Sequence, residues 1–279
     1  MILLLDAKKI KELINLDLDV FTFDCVSSTN LLAKEHGSNS AGEALFIADS
    51  QTSGRGRMGR SFFSPESSGI YMSLLLRPNI NFEDYTLITT AAAVSVARAI
   101  DCFLDTPTKI KWVNDVFLND KKVCGILTEG VFEKDNTFAV LGIGINLYEP
   151  KNGFPEDISQ IAGGIFTEKC SDDTKTELIA KVINNFYEFY SDLPQKAFLE
   201  DYRGKDMLCG KTISYLKNGT LFSGKAQGKT ENLELKVIDS FGNTHHLSSG
   251  EVTIASKKAY RKIIRYALIY YFLTASSFV

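Results

Sequence analysis

The alternation of apolar and polar positions predicts a body built from strands and helices. Five apolar runs of strand length, at 20–26, 44–50, 69–77, 122–132 and 137–147, are bounded by turn residues such as glycine, asparagine and aspartate. The last two runs are separated only by a short Lys-Asp-Asn turn. They therefore predict an antiparallel pair of long strands.

Stretches of helix-forming residues lie between and after these runs. The most regular one spans 84–104, is rich in alanine and leucine, and opens with an aspartate that suits a helix N-terminus. A second helix is expected over 30–36, with Ser28 or Thr29 as its N-cap and Gly37 as its end. The other predicted elements are helices at 6–15, 174–190 and 194–203 and short strands at 109–113 and 116–118.

This order of elements predicts an α/β (α+β) domain over residues 1–204, with a mixed, largely antiparallel sheet flanked by helices. From 205 to 256, short strands with turn residues every eight to ten positions indicate a separate small β-barrel domain. The apolar tail 257–279 is interrupted by Arg265 and is too short to span a bilayer, so it is expected to form a packed helix.

Charge and cysteine usage narrow the classes of function. The net charge of −3, with lysine and arginine spread along the chain, argues against nucleic acid as a partner. The five cysteines lie more than twenty residues apart, which fits neither a disulfide framework nor a zinc site. Together with an N-terminus that does not read as a secretory signal, they indicate a cytoplasmic protein without a membrane partner.

The segment QTSGRGRMGRSFFSP at 51–65 contains a G-x-G-x-x-G spacing. In a dinucleotide-binding turn such glycines open a helix, and an acidic residue follows about twenty positions later. Here a Ser-Phe-Phe-Ser-Pro turn and a strand follow, position 79 is Asn, and no Gly-Lys-Ser/Thr makes a P-loop.

What is left is the glycine-arginine loop, residues 54–60. Its three glycines permit a close approach to a ligand, and its three arginines suit phosphate or carboxylate oxygens. On composition alone, a solvated basic turn is the alternative. Three further polar segments favour a binding site: VSSTN at 26–30, KIKWVNDVFLNDKKVCGILTEG at 109–130 and LGIGINL at 141–147.

At these residues the chain closely resembles the bacterial biotin protein ligases, the biotin–acetyl-CoA carboxylase ligases. The matching motifs, in the family's order, are Gln51, G-R-G-R-x-G-R at 54–60, F-S-P at 63–65, K-W-x-N-D at 111–115, K-x-x-G-I-L at 122–127 and G-I-N at 144–146. The resemblance is strong over 20–150 and weak over 205–255. It implies a class II synthetase-like catalytic domain followed by an SH3-like barrel.

The resemblance also implies a two-step reaction. Biotin and ATP, with Mg²⁺ as activator, give biotinyl-5′-AMP and pyrophosphate, and a lysine of a biotin carboxyl carrier protein then takes the biotinyl group. Ser28, Thr29 and Asn30 are expected to hold the ureido ring beside Gln51. The full biotin-binding set is Ser28, Thr29, Asn30, Gln51, Gly54, Arg55, Gly56, Arg57, Lys122 and Gly125.

The same resemblance implies an ATP-binding set of Arg57, Arg60, Lys111, Asn114, Asp115 and Asn146. Asp115 is a candidate Mg²⁺ ligand. Lys122 and Arg57 are the expected catalytic residues. Gly125 is expected to leave room for the apolar part of biotin. Without the motifs, Asn114-Asp115 reads equally well as a simple turn and Asn146 as an ordinary strand end.

Strand alternation makes two further predictions about side-chain direction. Lys109 and Lys111 are expected on one face of a short strand and Ile110 and Trp112 on the other. Lys122 is expected to share a face with Cys124, Ile126 and Thr128 and to point into a pocket. The alternative is a solvated hairpin lysine, since Lys121 beside it carries the same charge.

Departures from the family pattern are Val113, where relatives usually have proline, and Met58, where the residue is often basic. Only about twenty-five residues precede VSSTN, so a ligase without the DNA-binding domain of some relatives is expected. A homodimer is left open. The alternative functions are a lipoate or octanoate ligase or transferase of the same fold and a non-catalytic biotin-binding module.

Overall fold

The computed structural model describes residues 5–81, 84–133, 136–217, 220–248, 250 and 252–254. The apolar tail predicted over 257–279 lies outside the described residues. The chain divides into two compact units, Met1–Lys205 and Asp206–Val279. Within the described part, no helix combines the length and the apolar character needed to cross a bilayer.

The first unit contains a seven-stranded sheet and five helices among its described residues. In chain order the elements are α1 (Ala7–Leu13), β1 (Asp19–Val26), α2 (Thr29–Asn39), β2 (Ala44–Gln51), β3 (Gly69–Leu76), α3 (Tyr85–Asp101), β4 (Lys109–Lys111), β5 (Asp115–Leu118), β6 (Lys121–Glu133), β7 (Asn136–Asn146), α4 (Asp172–Tyr190) and α5 (Leu199–Gly204).

The sheet has the strand order β1-β2-β3-β7-β6-β5-β4. Only β1 and β2 run parallel, because α2 carries the chain back between them, and every other neighbouring pair is antiparallel. The long β6 and β7 pair from Cys124 opposite Ile145 to Glu133 opposite Asn136. The predicted mixed, largely antiparallel sheet is confirmed, as is the hairpin of two long strands.

Helices cover both faces of this sheet. Thr128 of β6 contacts Thr89 of α3 through hydroxyls 2.8 Å apart. Gly142 of β7 points to the opposite face, where an added Cβ would meet Asn30 of α2. Nearly all of α3 is buried, because it packs between the sheet and α4. The face covered by α2, here called the α2 face, carries the candidate site.

The prediction that α2 ends at Gly37 is wrong. The helix runs on to Asn39. A Cβ at Gly37 would lie 2.7 Å from both Leu75 and Phe138, so this glycine serves close packing of the helix on the sheet. Glycine is used both where a helix packs closely against a sheet and where a helix ends, so the sequence alone does not distinguish the two roles.

The helix predicted over 194–203 is also corrected. The structure has a 3₁₀ turn at Leu193–Gln195 and only then α5. Lys196 between them has a φ of 52°, a left-handed conformation that ends the turn. Elsewhere the predicted elements agree with the structure to within a few residues at their ends.

The second unit contains a five-stranded antiparallel sheet in the order β11-β10-β9-β8-β12. Its strands are β8 (Thr212–Lys217), β9 (Thr220–Lys229), β10 (Leu235–Asp239), β11 (Thr244–Leu247) and β12 (Val252–Ile254). The turn from β10 to β11 is held by Asp239, whose Oδ1 accepts hydrogen bonds from the amides of Phe241 and Asn243. The short antiparallel strands appear where the turn spacing predicts them, and this sheet is consistent with the predicted small β-barrel.

Candidate functional site

The glycine-arginine loop forms a tight, internally bonded turn. The amide of Gly56 donates to the carbonyl of Arg60 over 2.8 Å, and the tip is a 3₁₀ turn at Arg57–Gly59. Met58 and Gly59 both have left-handed φ values, 55° and 73°. Because no helix starts here and the next strand is β3, the prediction that this is not a dinucleotide-binding turn is confirmed.

The base of the loop is closely packed. A Cβ at Gly54 would lie 2.4 Å from the carbonyl oxygen of Phe62 and 2.6 Å from Ser64 Oγ, so only glycine fits without a shift. Gln51 Nε2 donates to Ser64 Oγ over 2.9 Å. The loop therefore leaves and rejoins the body at a fixed place beside the end of β2.

Two arginines of the loop reach the strands on the α2 face. Arg55 Nη2 lies 3.2 Å from Glu129 Oε1, and Arg57 Nη1 donates to Asn114 Oδ1 over 2.9 Å. Asn114 is held in turn, since its Nδ2 donates to the carbonyl of Ile126. The loop is thus drawn across β5 and β6, whereas Arg60 is exposed.

The segment Ser28–Asn30 forms a buried polar socket at the start of α2. All three residues are at most 5% exposed. The amide and the hydroxyl of Thr29 both donate to Gln51 Oε1, over 2.9 and 3.2 Å. Ser28 Oγ is buried and has no hydrogen-bond partner among the described residues. A buried hydroxyl without a partner is costly, which points to a ligand that completes the socket.

Asn30 is held by two residues that the sequence analysis missed. Ser73 Oγ donates to Asn30 Oδ1 over 2.6 Å, and Asn30 Nδ2 donates to Glu129 Oε2 over 2.9 Å. Both residues could have been found in the sequence. Ser73 interrupts the apolar run of β3, and Glu129 is a charged residue inside the predicted strand 122–132. Gly142 leaves the space that the Asn30 amide fills.

The pKa of Glu129 is set by competing effects. Burial raises it, but hydrogen bonds from Lys34 and Asn30 and the charges of Lys34 and Arg55 outweigh burial, so the pKa is lowered. The stabilisation by this carboxylate is therefore present above the usual glutamic acid pKa and is lost as the pH falls through the lowered value.

The prediction that Lys122 shares a face with Cys124 is wrong. The pairing of β5 with β6 shifts register, so that Phe117 lies opposite Lys122 while Val116 lies opposite Cys124. The irregularity at Val123 turns Lys122 to the α2 face, away from the side of Cys124. Its Nζ would lie 3.2 Å from a Cβ at Gly125.

Lys122 and Lys121 have different surroundings. Lys122 Nζ forms an ion pair with Asp115 Oδ1 at 2.7 Å, with the two side chains 30% and 20% exposed. Lys121 Nζ instead donates to the carbonyls of Ser159 and Gln160. The geometry therefore favours Lys122 as the cation of the site, whereas Lys121 holds the main chain at Ser159 and Gln160.

The remaining predicted residues lie at two places along the sheet. Lys111 is half-buried in β4, directly opposite Asp115, while Ile110 and Trp112 are buried, so the predicted alternation is confirmed. The Trp112–Val113 peptide bond is cis. Asn146, at the end of β7, donates through Nδ2 to the carbonyl of Gly163 over 3.2 Å and contacts neither loop arginine through a described hydrogen bond.

The Phe62 ring packs over Gly125, the glycine that was expected to leave room for the apolar part of biotin. A Cβ at Gly125 would lie 3.0 Å from the Phe62 ring, and one at Gly144 would lie 2.4 Å from it. These glycines bring the ring close to the strands of the α2 face. An apolar ligand chain entering here would contact Phe62, a residue that the sequence analysis did not select.

A metal would find few protein ligands here. No group of three or more histidine, cysteine, aspartate or glutamate side chains suited to a metal ion occurs in the described part of the chain. Asp115 offers one carboxylate, already paired with Lys122. Mg²⁺ accepts one or two carboxylates with phosphate oxygens as its other ligands, so the site fits an ion that arrives with a nucleotide.

The chain is similar to known ligases along most of its length. The model of the Biotin/lipoate A/B protein ligase family matches residues 22–146. The Bifunctional ligase/repressor BirA of Bacillus spizizenii is 38% identical over 216 residues, which are 74% of this chain and 65% of that protein. The biotin–acetyl-CoA-carboxylase ligase of Mycobacterium tuberculosis is 27% identical over 244 residues, 84% of this chain and 88% of that protein.

A solved structure shares the fold. The biotin protein ligase from Aquifex aeolicus in complex with biotin and ATP superimposes with a TM-score of 0.69 at 27% identity, covering 85% of this chain and 99% of that chain. This confirms the predicted fold class, a helix-flanked mixed sheet followed by a small antiparallel domain. The chain spans just under two thirds of the Bacillus relative's length.

Proposed function

Because residues 22–146 match the model of the Biotin/lipoate A/B protein ligase family, we propose that this chain is a biotin protein ligase. It activates biotin with ATP to biotinyl-5′-AMP and pyrophosphate, and it transfers the biotinyl group to a lysine of a biotin carboxyl carrier protein. The named relatives that are biotin ligases support the choice of biotin.

One observation carries this proposal: a buried polar socket with an unpaired hydroxyl, Ser28 Oγ, lies on the same sheet face as a cluster of cations. A neutral ring with both donors and acceptors, such as the ureido ring, satisfies the socket. The cations Arg57 and Lys122 suit the anionic end of the same molecule and a phosphate. Biotin has both a ureido ring and a carboxylate.

In the first step, a carboxylate oxygen of biotin attacks the α-phosphorus of ATP and pyrophosphate leaves. Two negatively charged groups must approach each other, and charge builds on the phosphoryl oxygens. Lys122, fixed on a strand and oriented by Asp115, and Arg57, fixed by Asn114, lower this barrier through preorganised positive charge. Neither side chain has to be ordered during the reaction.

The nucleotide is held by Arg57, Arg60, Lys111, Asn114, Asp115 and Asn146, with Asp115 offering its carboxylate to Mg²⁺. The metal screens the phosphate charges when it is bound. In the second step, the neutral amine of the carrier lysine attacks the acyl carbonyl, an amide forms and AMP leaves. The glycine-arginine loop keeps water from the mixed anhydride between the steps.

We infer that the protein and its carrier are cytoplasmic. All five cysteines are free, which suits a reducing compartment and supports this proposal.

Lipoate or octanoate activation is the second candidate, since the matching family covers lipoate ligases as well. ATP–pyrophosphate exchange with biotin, lipoate and octanoate as the acid separates the candidates. Exchange stimulated by biotin alone is expected. Exchange with lipoate or octanoate instead moves the assignment to the sister activity, and no exchange with any acid, despite tight biotin binding, indicates a binding module.

Gly142→Ala is expected to weaken biotin binding selectively. The new methyl would lie 2.2 Å from Asn30 Oδ1, and Asn30 cannot easily move because Ser73 and Glu129 hold both ends of its amide. We expect the KM for biotin to rise about ten- to a hundredfold, as for a displaced positioning group. The KM for ATP should change much less.

Gly204→Ala is the matched control, because an added Cβ there meets nothing within 4 Å. Steady-state exchange kinetics give both constants when biotin is varied at saturating ATP and ATP is varied at saturating biotin. An unchanged KM for biotin in a folded Gly142→Ala variant would remove Asn30 from the ring site.

A further inference from the structure

Helix α5 holds the segment 110–113 at both of its ends. At one end the amide of Ile110 donates to the carbonyl of Lys205, the residue that caps α5, over 2.7 Å. At the other end the hydroxyl of Tyr202 donates to the carbonyl of Val113 over 3.1 Å. Tyr202, Ile110 and Val113 are all buried. Tyr202 and Lys205 together are called the α5 brace.

The braced segment leads into the residues expected to bind ATP. Lys111 lies within it, opposite Asp115 of β5, and Asn114 follows it directly. Asn114 is also the point where the glycine-arginine loop arrives, since its Oδ1 accepts from Arg57 Nη1 over 2.9 Å. The α5 brace and the loop therefore hold adjacent residues, Val113 and Asn114.

The α5 brace is itself fixed to the end of α3. Arg98 Nε lies 2.5 Å from Asp201 Oδ2, and Lys205 Nζ forms an ion pair with Asp101. The carboxylate of Asp101 also accepts from the amide of Thr108 over 2.8 Å, just before β4 begins. Because α3 is almost entirely buried, these bonds tie the brace to the body of the first unit.

We propose that Tyr202 is a positioning residue for the nucleotide. Its hydroxyl holds the Val113 carbonyl, and this carbonyl belongs to the peptide that leads into Asn114. A buried carbonyl that loses its donor turns towards another one, because an unpaired buried carbonyl is costly. Turning this peptide moves Asn114 and the Arg57 that it holds, and small displacements of binding groups are costly. This inference deepens the proposed function and rests on it for the identity of the nucleotide.

Tyr202→Phe removes the hydroxyl and keeps the buried ring. We expect the KM for ATP in ATP–pyrophosphate exchange at saturating biotin to rise about tenfold. The KM for biotin at saturating ATP should change less than about twofold. A purely structural role would lower the fraction of active chain, which reduces the rate at saturation and leaves both KM values unchanged. An unchanged KM for ATP in folded Tyr202→Phe would overturn the positioning role.

Tyr187→Phe is the matched control. The Tyr187 hydroxyl donates to Glu43 Oε2 over 2.8 Å, so this variant also loses a tyrosine hydrogen bond within the first unit. Neither Tyr187 nor Glu43 belongs to the candidate site, and both KM values should equal those of the parent chain. A similar rise of the KM for ATP in both variants would indicate general loosening and contradict a specific role for Tyr202.

A double variant tests the route through Asn114. Asn114→Ala removes the side chain that holds Arg57, so adding Tyr202→Phe to it should raise the KM for ATP by less than about twofold more. Effects of the two substitutions that multiply in full would overturn this route.

The proposed function and the role of Tyr202 fail in different ways. Exchange stimulated by lipoate or octanoate instead of biotin overturns the proposed acid, and the KM for ATP measured with that acid still decides the role of Tyr202. Biotin-dependent exchange with the same KM for ATP in the parent chain and in Tyr202→Phe overturns the role of Tyr202 alone.

Discussion

Lys122→Ala is expected to lower the rate of biotin-dependent adenylate formation by about a thousandfold, with the fold unchanged. The structure holds this lysine on the α2 face through a rigid strand and the 2.7 Å ion pair with Asp115. Its main-chain bonds to Ile161 and Gly163 do not depend on the side chain. The loss should therefore appear in the chemical step.

Lys121→Ala is the matched control. Lys121 carries the same charge one position earlier, but its Nζ is bonded to main-chain carbonyls of Ser159 and Gln160. We expect less than a tenfold change, measured by ATP–pyrophosphate exchange under saturating biotin and ATP. Loss of activity in Lys121→Ala with normal activity in Lys122→Ala would exchange the roles of the two lysines.

Lys229→Met is expected to destabilise the second unit by about 3–5 kcal/mol. Lys229 Nζ lies 2.5 Å from Asp206 Oδ1, and the two side chains are 0% and 4% exposed. Burial lowers the pKa of Lys229, while the charge and hydrogen bond of Asp206 oppose this effect. Removing the lysine leaves a buried carboxylate that only the amide of Leu208 still contacts among its described partners.

Urea unfolding of the full-length chain measures this effect. The single tryptophan, Trp112, lies in the first unit, so its fluorescence reports the unfolding of that unit. A change in far-UV circular dichroism without a change in fluorescence reports the unfolding of the second unit. Adding Asp206→Asn, which keeps an acceptor for Leu208, should recover more than half of the loss. A Lys229→Met transition within about 1 kcal/mol of the parent would contradict the buried ion pair.

Most of the fold follows from the apolar pattern, because strand and helix periods are local properties of the chain. The strands β2, β3, β6 and β7 and the helix α3 appear where their patterns predict them. The end of α2 does not, since Gly37 is required by Leu75 and Phe138, which lie far away in sequence. Tertiary contacts of this kind leave no local signal.

The residues of the site could likewise be predicted only in part from the sequence. Motif resemblance selects Ser28, Arg57 and Lys122, whereas alternation alone turns Lys122 to the wrong face, because a register shift between β5 and β6 does not change the apolar pattern. Phe62 escaped notice because an aromatic residue in a loop has no pattern to break. Its place becomes visible only when Gly125 and Gly144 are seen beneath its ring.

The central claim, that this chain makes an acyl adenylate of biotin, is tested most directly by detecting that product. Purified protein is mixed with biotin, ATP and Mg²⁺ without a carrier protein, and the bound small molecules are identified by mass spectrometry after rapid denaturation. We expect biotinyl-5′-AMP, with pyrophosphate released in equal amount, at a level approaching one adenylate per chain. Unchanged biotin and ATP after incubation with protein that binds both would contradict the account.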